Sequence, residues 1–321
     1  MTKYTISKSL ILYNLSFSRA EGFPNGAITT LNAGSRKIEA NSFASQWAIF
    51  SYLGRASYKF GDKYLADFSF RADGSSRFGA GNRYAYFPSL SLGWRLSEEA
   101  FLKNNQTIDD LKLRASIGTT GNQNIGDFTS IGLYSTGSNY NFNNVILPGT
   151  RPATISNEDL KWETTAQTNI GFDASLFDYK VGITFDYYIK NTSDILLGAP
   201  QIAATGEGEN PVFNIAGVKN SGIDLNITHN YAHTNGFELA TTFQFTTFNN
   251  EVTSLGEGLA QIGNDGEEYI DAGGPSRYTV GQPIGVFYGY VVEGIFQTEE
   301  EAQNHPNQGG NAMGRLKYKD L

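Results

Sequence analysis

Apolar and polar residues alternate along several stretches of this chain, as they do in β-strands. Between Lys180 and Thr192, apolar side chains occupy every second position, and Asp186 and Lys190 lie among the polar positions between them. A period of two places the two sets on opposite faces of a sheet. About ten such residues are enough for a tilted strand to cross a bilayer. The pattern therefore predicts membrane strands with an apolar face towards lipid and a polar face towards a lumen.

The same alternation predicts eight main strands. They are Ser45–Lys59, Tyr64–Ser75, Tyr84–Leu96, Asp110–Thr119, Thr164–Leu176, Lys180–Thr192, Val218–Tyr231 and Gly236–Asn249. We expect the last four to form an antiparallel meander in sequence order, because short turns join two of the pairs. We also expect Val181, Ile183, Phe185, Phe243 and Phe245 on the lipid side, and Asp67, Lys180, Asp186 and Glu238 towards the lumen.

The connections between these strands alternate in length. Short links such as 60–63 and 177–179 alternate with long ones such as 120–163 and 193–217. Membrane barrels have short periplasmic turns and long extracellular loops, which favours an all-β, antiparallel transmembrane β-barrel. We divide the chain into a preceding barrel segment and extracellular loop (1–44), barrel strands (45–249), and an extracellular loop region (250–321) with a possible further strand at 285–296.

The amino-acid composition excludes several classes of function. No stretch approaches 18 consecutive apolar residues, so we predict no transmembrane helix. The net charge of -8, with scattered basic residues, argues against a nucleic-acid partner. The absence of cysteine excludes thiol nucleophiles and disulfides. A mean hydropathy of -0.33 keeps a competing interpretation open: a soluble or surface-anchored β-rich carbohydrate-binding module.

Several longer segments resemble the C-terminal barrel region of SusC/RagA-type TonB-dependent outer-membrane receptors. The segments include GFPNGAITTLNAG (Gly22–Gly34), RADGSSRFG (Arg71–Gly79), LKLRASIGTTGNQNIGDF (Leu111–Phe128), LKWETT (Leu160–Thr165) and GYVVEGIFQTEEEAQNH (Gly289–His305). They occur in the family's order and cover nearly all of the chain after Gly22.

The resemblance implies a part of a 22-stranded barrel in the outer membrane of a Gram-negative, Bacteroidetes-like bacterium. Neither a plug domain nor a TonB-contacting segment is recognised in this sequence, so we expect the chain to be a piece of a larger barrel. The function implied is energy-coupled import of glycans or oligopeptides. The implied partners are a SusD-like surface lipoprotein, TonB acting through the plug region, and outer-membrane lipid.

No combination of residues predicts catalysis, a cofactor or a metal site, so we expect the protein not to be an enzyme. His229 and His233 lie across a predicted strand end and lack a third ligand. The glycines of ATGEGENP (Ala204–Pro211) lack the lysine of a phosphate loop. The acidic segment GNDGEE (Gly263–Glu268) lacks the alternating ligands of a calcium loop.

The long loops instead combine aromatic residues with many Asn, Gly and Ser residues. Aromatic rings with amide neighbours suit stacking on, and hydrogen bonding to, sugars or peptides. The same rings could equally pack against each other and hold the loops together. The candidate ligand-binding or partner-binding residues are Tyr134, Tyr140, Phe142, Trp162, Phe213, Tyr269 and Tyr278.

Overall fold

The structure is a computed structural model that describes most of the chain. It covers residues 2–21, 36–136, 138–154, 156–198, 211–232, 236–256, 261–263, 276–287 and 289–319.

The first part of the chain forms five long strands and a loop with four short ones. The long strands are β1 (Thr2–Glu21), β2 (Arg36–Phe60), β3 (Tyr64–Ser75), β4 (Tyr84–Arg95) and β5 (Ile108–Asn122). A 3-10 turn at Leu96–Glu98 lies between β4 and β5. The short strands are β6 (Tyr134–Thr136), β7 (Tyr140–Phe142), β8 (Val145–Leu147) and β9 (Thr150–Pro152).

The second part adds four long strands and a short-stranded C-terminal region. The long strands are β10 (Glu163–Leu176), β11 (Val181–Gly198), β12 (Val212–Ala232) and β13 (Glu238–Leu255). They are followed by β14 (Gln261–Gly263), β15 (Ser276–Thr279), β16 (Val286–Phe287), β17 (Val292–Ile295), helix α1 (Glu299–Asn304) and β18 (Leu316–Tyr318). None of the described helices is long and apolar enough to cross a membrane.

The nine long strands form one antiparallel sheet in the order β1-β2-β3-β4-β5-β10-β11-β12-β13. Each strand pairs with its neighbour in the sequence of long strands, and the pairing of β10 through β13 confirms the predicted meander. The connections β2–β3, β4–β5 and β10–β11 lie at one end of the sheet, which we call the turn end. The connections β3–β4 and β5–β10, the second of which is by far the longest described, lie at the other, which we call the loop end.

Most observed strands are longer than the alternation predicts, mainly towards the loop end, whereas β3 keeps its predicted bounds and β4 ends one residue earlier. β2 begins at Arg36 rather than Ser45, and β11 continues to Gly198 rather than Thr192. β1 was expected only as an undefined barrel segment. The β2 extension is mostly polar, and the β11 extension follows a register shift between Thr192 and Ile195, so the ladder continues where no regular alternation marks it.

The prediction of one continuous strand at 285–296 is wrong. Val286–Phe287 pairs with β15, whereas Val292–Ile295 pairs with β18. Gly285, with a φ of 69°, and Gly289 are compatible with a break in an extended segment. The apolar sequence therefore serves two small sheets.

The register confirms the predicted separation of an apolar and a polar face. One row on the apolar face contains Trp94, Leu113, Phe172, Phe185, Leu225 and Phe245. Of the predicted lipid-facing set, Phe243 and Phe245 are 55% and 50% exposed, and the other three are partly exposed. None of the five lies in a buried cluster, which contradicts a closed two-sheet core.

The polar face carries the charged residues in ion-paired groups. Arg114 Nη2 lies 2.9 Å from Asp186 Oδ2, and Arg114 Nε lies 3.0 Å from Asp173 Oδ2. Lys112 Nζ also contacts Asp173, at 2.8 Å. The prediction for Lys180 needs correction, because it lies in the turn before β11, 3.5 Å from the Asp178 carboxylate.

Aromatic residues and one carboxylate organise the turn end. Glu99 accepts hydrogen bonds from Tyr64 Oη at 3.0 Å and Trp94 Nε1 at 3.1 Å, and from Lys63 Nζ at 3.0 Å. The Tyr64 and Trp94 rings stack, with centroids 6.4 Å apart. The hydrogen bond from Lys63, followed by those from Trp94 and Tyr64, holds the pKa of Glu99 below its usual range.

Replacing Glu99 with glutamine is expected to lower thermal stability of the intact protein at neutral pH. Because the folded-state pKa is lowered, ionised Glu99 stabilises the fold above the ordinary glutamate pKa, and this contribution is lost as pH falls through the lowered value. The two proteins should therefore converge in acid, as measured by thermal unfolding across pH. Glu98→Gln is the matched control, and an equal effect of that variant would contradict the assignment.

Candidate functional site

A buried aromatic cluster fixes the lower part of the loops at the loop end, and we call it the loop base. Phe78 and Phe87 pack against Trp162, with ring centroids 5.4 and 5.6 Å from it. Ile125 and Leu160 complete the cluster, and Leu160 is fully buried. These residues come from β4 and three loop segments, so the cluster joins loops distant in sequence.

Polar contacts reinforce the loop base. Trp162 Nε1 donates to the Arg83 carbonyl oxygen at 2.9 Å. Arg77 Nε donates to Asp127 Oδ1 at 2.8 Å, and the hydroxyl of Ser45 donates to the same carboxylate. The Arg77 guanidinium also lies over the Trp47 ring, 4.5 Å from its centroid. The base therefore holds loop segments against the interior of β2 and the first residues of β4.

Above this base, the loop between β5 and β10 narrows to a neck. The Ala153 amide donates to the Leu133 carbonyl oxygen at 2.7 Å, and the Leu133 amide donates to Thr154 Oγ1 at 3.1 Å. The chain thus leaves and re-enters the base at one place. The segment between, residues 134–152, is called the tip.

The tip contains two short antiparallel pairs, β6 with β9 and β7 with β8. Asn143 and Asn144 connect β7 to β8 with φ values of 50° and 61°. Two consecutive left-handed residues form the turn that suits a two-residue hairpin, and asparagine tolerates this conformation better than most side chains. The sequence thus builds a projecting hairpin.

The tip brings together three of the predicted ligand-binding or partner-binding residues. Tyr134, Tyr140 and Phe142 are 74%, 69% and 64% exposed. Sequence reasoning missed their aliphatic neighbours Val145, Ile146 and Leu147, which are also exposed. The Asn-Asn pair flanked by strand-forming residues was the signal that could have found this hairpin.

The other candidates lie elsewhere. Trp162 is 5% exposed in the loop base, so its ring is covered by protein. Phe213 lies partly buried in β12, and Tyr278 packs against the cluster of Ala216, Val252 and Leu255. Tyr269 lies outside the described residues.

The described ranges contain no group of three His, Cys, Asp or Glu residues able to hold a metal ion. Several residues considered for metal or phosphate binding, His233, Gly206, Gly208, Asp265, Glu267 and Glu268, lie outside the described residues.

The family described as TonB dependent receptor-like, beta-barrel matches residues 5–310. TonB-dependent receptor P39 of Formosa agariphila is 38% identical over 293 residues, covering 90% of this chain and 26% of the relative. TonB-dependent receptor SusC of Bacteroides thetaiotaomicron is 35% identical over 239 residues, covering 73% of this chain and 23% of that protein. The chain thus spans about a quarter of these relatives' length.

Solved structures give the same result. The RagAB peptide importer in the 'closed-closed' state superposes with a TM-score of 0.79 at 26% identity, covering 92% of this chain and 32% of that one. Its 'open-open' state gives 0.78 at 25% identity, covering 100% and 34%. The nine-stranded sheet is therefore part of a transmembrane barrel, as predicted, and its strands do not close a barrel within the described residues. The chain belongs to the TonB-dependent receptors of the SusC/RagA type, which are outer-membrane β-barrel proteins.

Proposed function

We propose that the intact receptor imports glycans or oligopeptides across a Gram-negative outer membrane, with energy from TonB and with a SusD-like lipoprotein over its extracellular mouth. Membership of the SusC/RagA type supports nutrient import. A structural relative described as a peptide importer supports the oligopeptide alternative for the substrate. This chain contributes barrel wall and extracellular loops, with no covalent chemistry.

The observation that best supports this proposal is the set of exposed side chains on the tip. The tip exposes Tyr134, Tyr140, Phe142 and Ile146 on a projecting hairpin. Contiguous exposed apolar side chains mark interaction sites, and aromatic residues are enriched in the centres of interfaces. The neighbouring Asn139, Asn141, Asn143 and Asn144 offer hydrogen bonds beside these side chains. We assign to the tip contact with substrate or with the lipoprotein partner.

The role of the tip can be tested by a deletion, and deleting the tip alone disturbs the barrel less than deleting the whole connection between β5 and β10. Removing residues 121–163 would clip two ladder pairs, Gly121 with Thr164 and Asn122 with Glu163. It would also remove Ile125, Leu160 and Trp162 from the loop base. A deletion of 134–152 alone joins positions that are already hydrogen-bonded at the neck.

Replacing residues 134–152 of the intact receptor with a short Gly-Ser linker is expected to impair growth on the cognate nutrient, capture of the lipoprotein partner, or both. The barrel should stay folded, because the ladder hydrogen bonds lie below the loop. The measurements are growth, partner pull-down and heat-modifiable gel migration.

The matched control is Asn143→Gly with Asn144→Gly, which preserves the hairpin turn and its flanking side chains. It should leave growth and pull-down near wild type. Unchanged growth and unchanged pull-down in the deletion variant, at normal surface expression, would refute the role of the tip.

A further inference from the structure

The apolar face carries a groove that crosses β2, β3, β4, β5 and β10 near the turn end. Its volume is about 500 Å³, within the range of small-molecule sites, and its lining is almost wholly apolar. The strand register places five of the lining residues in one row across the sheet: Tyr58, Ala66, Leu92, Ala115 and Ile170. Because this face of a membrane barrel meets lipid, the groove opens towards the hydrocarbon of the bilayer.

Two small side chains, Ala66 and Ala115, lie in this row between rows of larger ones. The next row towards the loop end contains Phe68, Leu90 and Ile117. The next row towards the turn end contains Tyr64, Trp94 and Leu113. The groove is therefore a fixed depression between two ridges, and an apolar group must fill it if the carbon atoms of its wall are to keep their dispersion contacts.

The turn end of the groove marks the membrane surface. The rings of Tyr64 and Trp94 line the groove, while their polar tips donate to the Glu99 carboxylate at 3.0 and 3.1 Å. Aromatic rings with one polar tip collect at membrane–water interfaces. The row that contains the alanines lies two residues further along the strands, roughly 7 Å deeper. The groove thus begins at the interface and leads into the depth of the acyl chains.

The charged groups beside this end are balanced. Lys63 Nζ lies 3.0 Å from Glu99 Oε2, and in the same turn Lys59 pairs with Asp62. The two lysines could face a phosphate and the two carboxylates an ammonium group, whereas a purely anionic head group would meet the carboxylates as well. The rim therefore suits a head group that carries both charges.

We propose that the groove binds one acyl chain of a zwitterionic phospholipid from the leaflet at the turn end, with the head group beside the Lys63–Glu99 pair. The turn end of a membrane barrel is periplasmic, so the lipid would come from the periplasmic leaflet. The bound chain fills the depression across five strands. The inference rests on the membrane barrel and not on the imported nutrient, so its failure would leave the proposed function untouched.

The test uses the intact receptor in vesicles of phosphatidylethanolamine and phosphatidylglycerol. A trace of phosphatidylethanolamine with a photoreactive acyl chain is the probe, and mass spectrometry of peptides locates the cross-links. In wild type the cross-links should concentrate on residues 64–66, 92–94 and 113–115. Ala115→Phe should lower this labelling about tenfold, because the new ring takes the place of the chain's carbon contacts. Ala115→Leu, a smaller change at this exposed position, decides the matter if Ala115→Phe does not assemble.

Ala166→Phe is the matched control. Ala166 is exposed on β10, on the same face as Ile170, and lies outside the groove towards the loop end. This variant should label the groove as wild type does. Labelling spread evenly over the apolar face, or equal labelling of the groove in all assembled variants, would overturn the site.

A second probe tests the head group. Phosphatidylglycerol with the same photoreactive chain should label the groove less than the phosphatidylethanolamine probe, because its head group is anionic. Equal labelling by the two probes would overturn the zwitterionic preference. Cross-links from the groove to a second copy of the receptor in place of lipid would overturn the whole inference.

Discussion

Replacing Trp162 with alanine is expected to release the loops at the loop end while the barrel remains assembled. Trp162 is 5% exposed and packs on Phe78 and Phe87. Removing a buried tryptophan side chain costs about 3–5 kcal/mol, and the Arg83 carbonyl also loses its donor. Because the loop base lies beyond the membrane ladder, the loss should appear as local opening of residues 123–162.

Hydrogen exchange and limited proteolysis of the intact receptor would measure this opening, with heat-modifiable migration reporting the barrel. Trp162→Phe is the matched control, since it keeps an aromatic ring in the cluster and should open the loops less. Unchanged exchange in the alanine variant would show that the loop base does not hold the loops.

The second large effect concerns the apolar face. Ile117→Arg is expected to reduce the amount of assembled barrel strongly, because Ile117 is 58% exposed on the apolar face. Arginine near the bilayer midplane of a barrel costs about 2–4 kcal/mol. The measurement is the folded fraction in outer-membrane extracts or in refolding into lipid vesicles.

The neighbouring Ser116 supplies the control, because successive strand residues point to opposite faces. Ser116→Arg places the same charge on the polar face and should assemble normally. Equal assembly of both variants would contradict the assignment of faces.

The sequence predicted the parts of the fold that depend on neighbouring residues. Alternation located the strands and their faces, since lipid on one side imposes a strict period of two, as between Val181 and Phe185. Short links identified which strands pair. Strand ends at the loop end were missed where the alternation stops, as in β11, whose register shifts between Thr192 and Ile195 before the strand continues to Gly198.

The candidate site was only partly predictable. Tyr140 and Phe142 could be named from a loop rich in aromatic and amide residues, because the hairpin that exposes them is local. The burial of Trp162 could not, because it depends on Phe78 and Phe87, which are more than 70 positions away in the sequence.

The neck makes the loop tolerant of sequence changes between its two hydrogen-bonded ends. Leu133 and Ala153 are hydrogen-bonded to each other, so whatever lies between them leaves and returns through a single point. Insertions, deletions and recombined sequences can therefore replace residues 134–152 without shifting the strand register or the packing of Trp162. We therefore expect the sequence of the tip to vary among related receptors, and with it what they recognise, while the barrel strands stay the same.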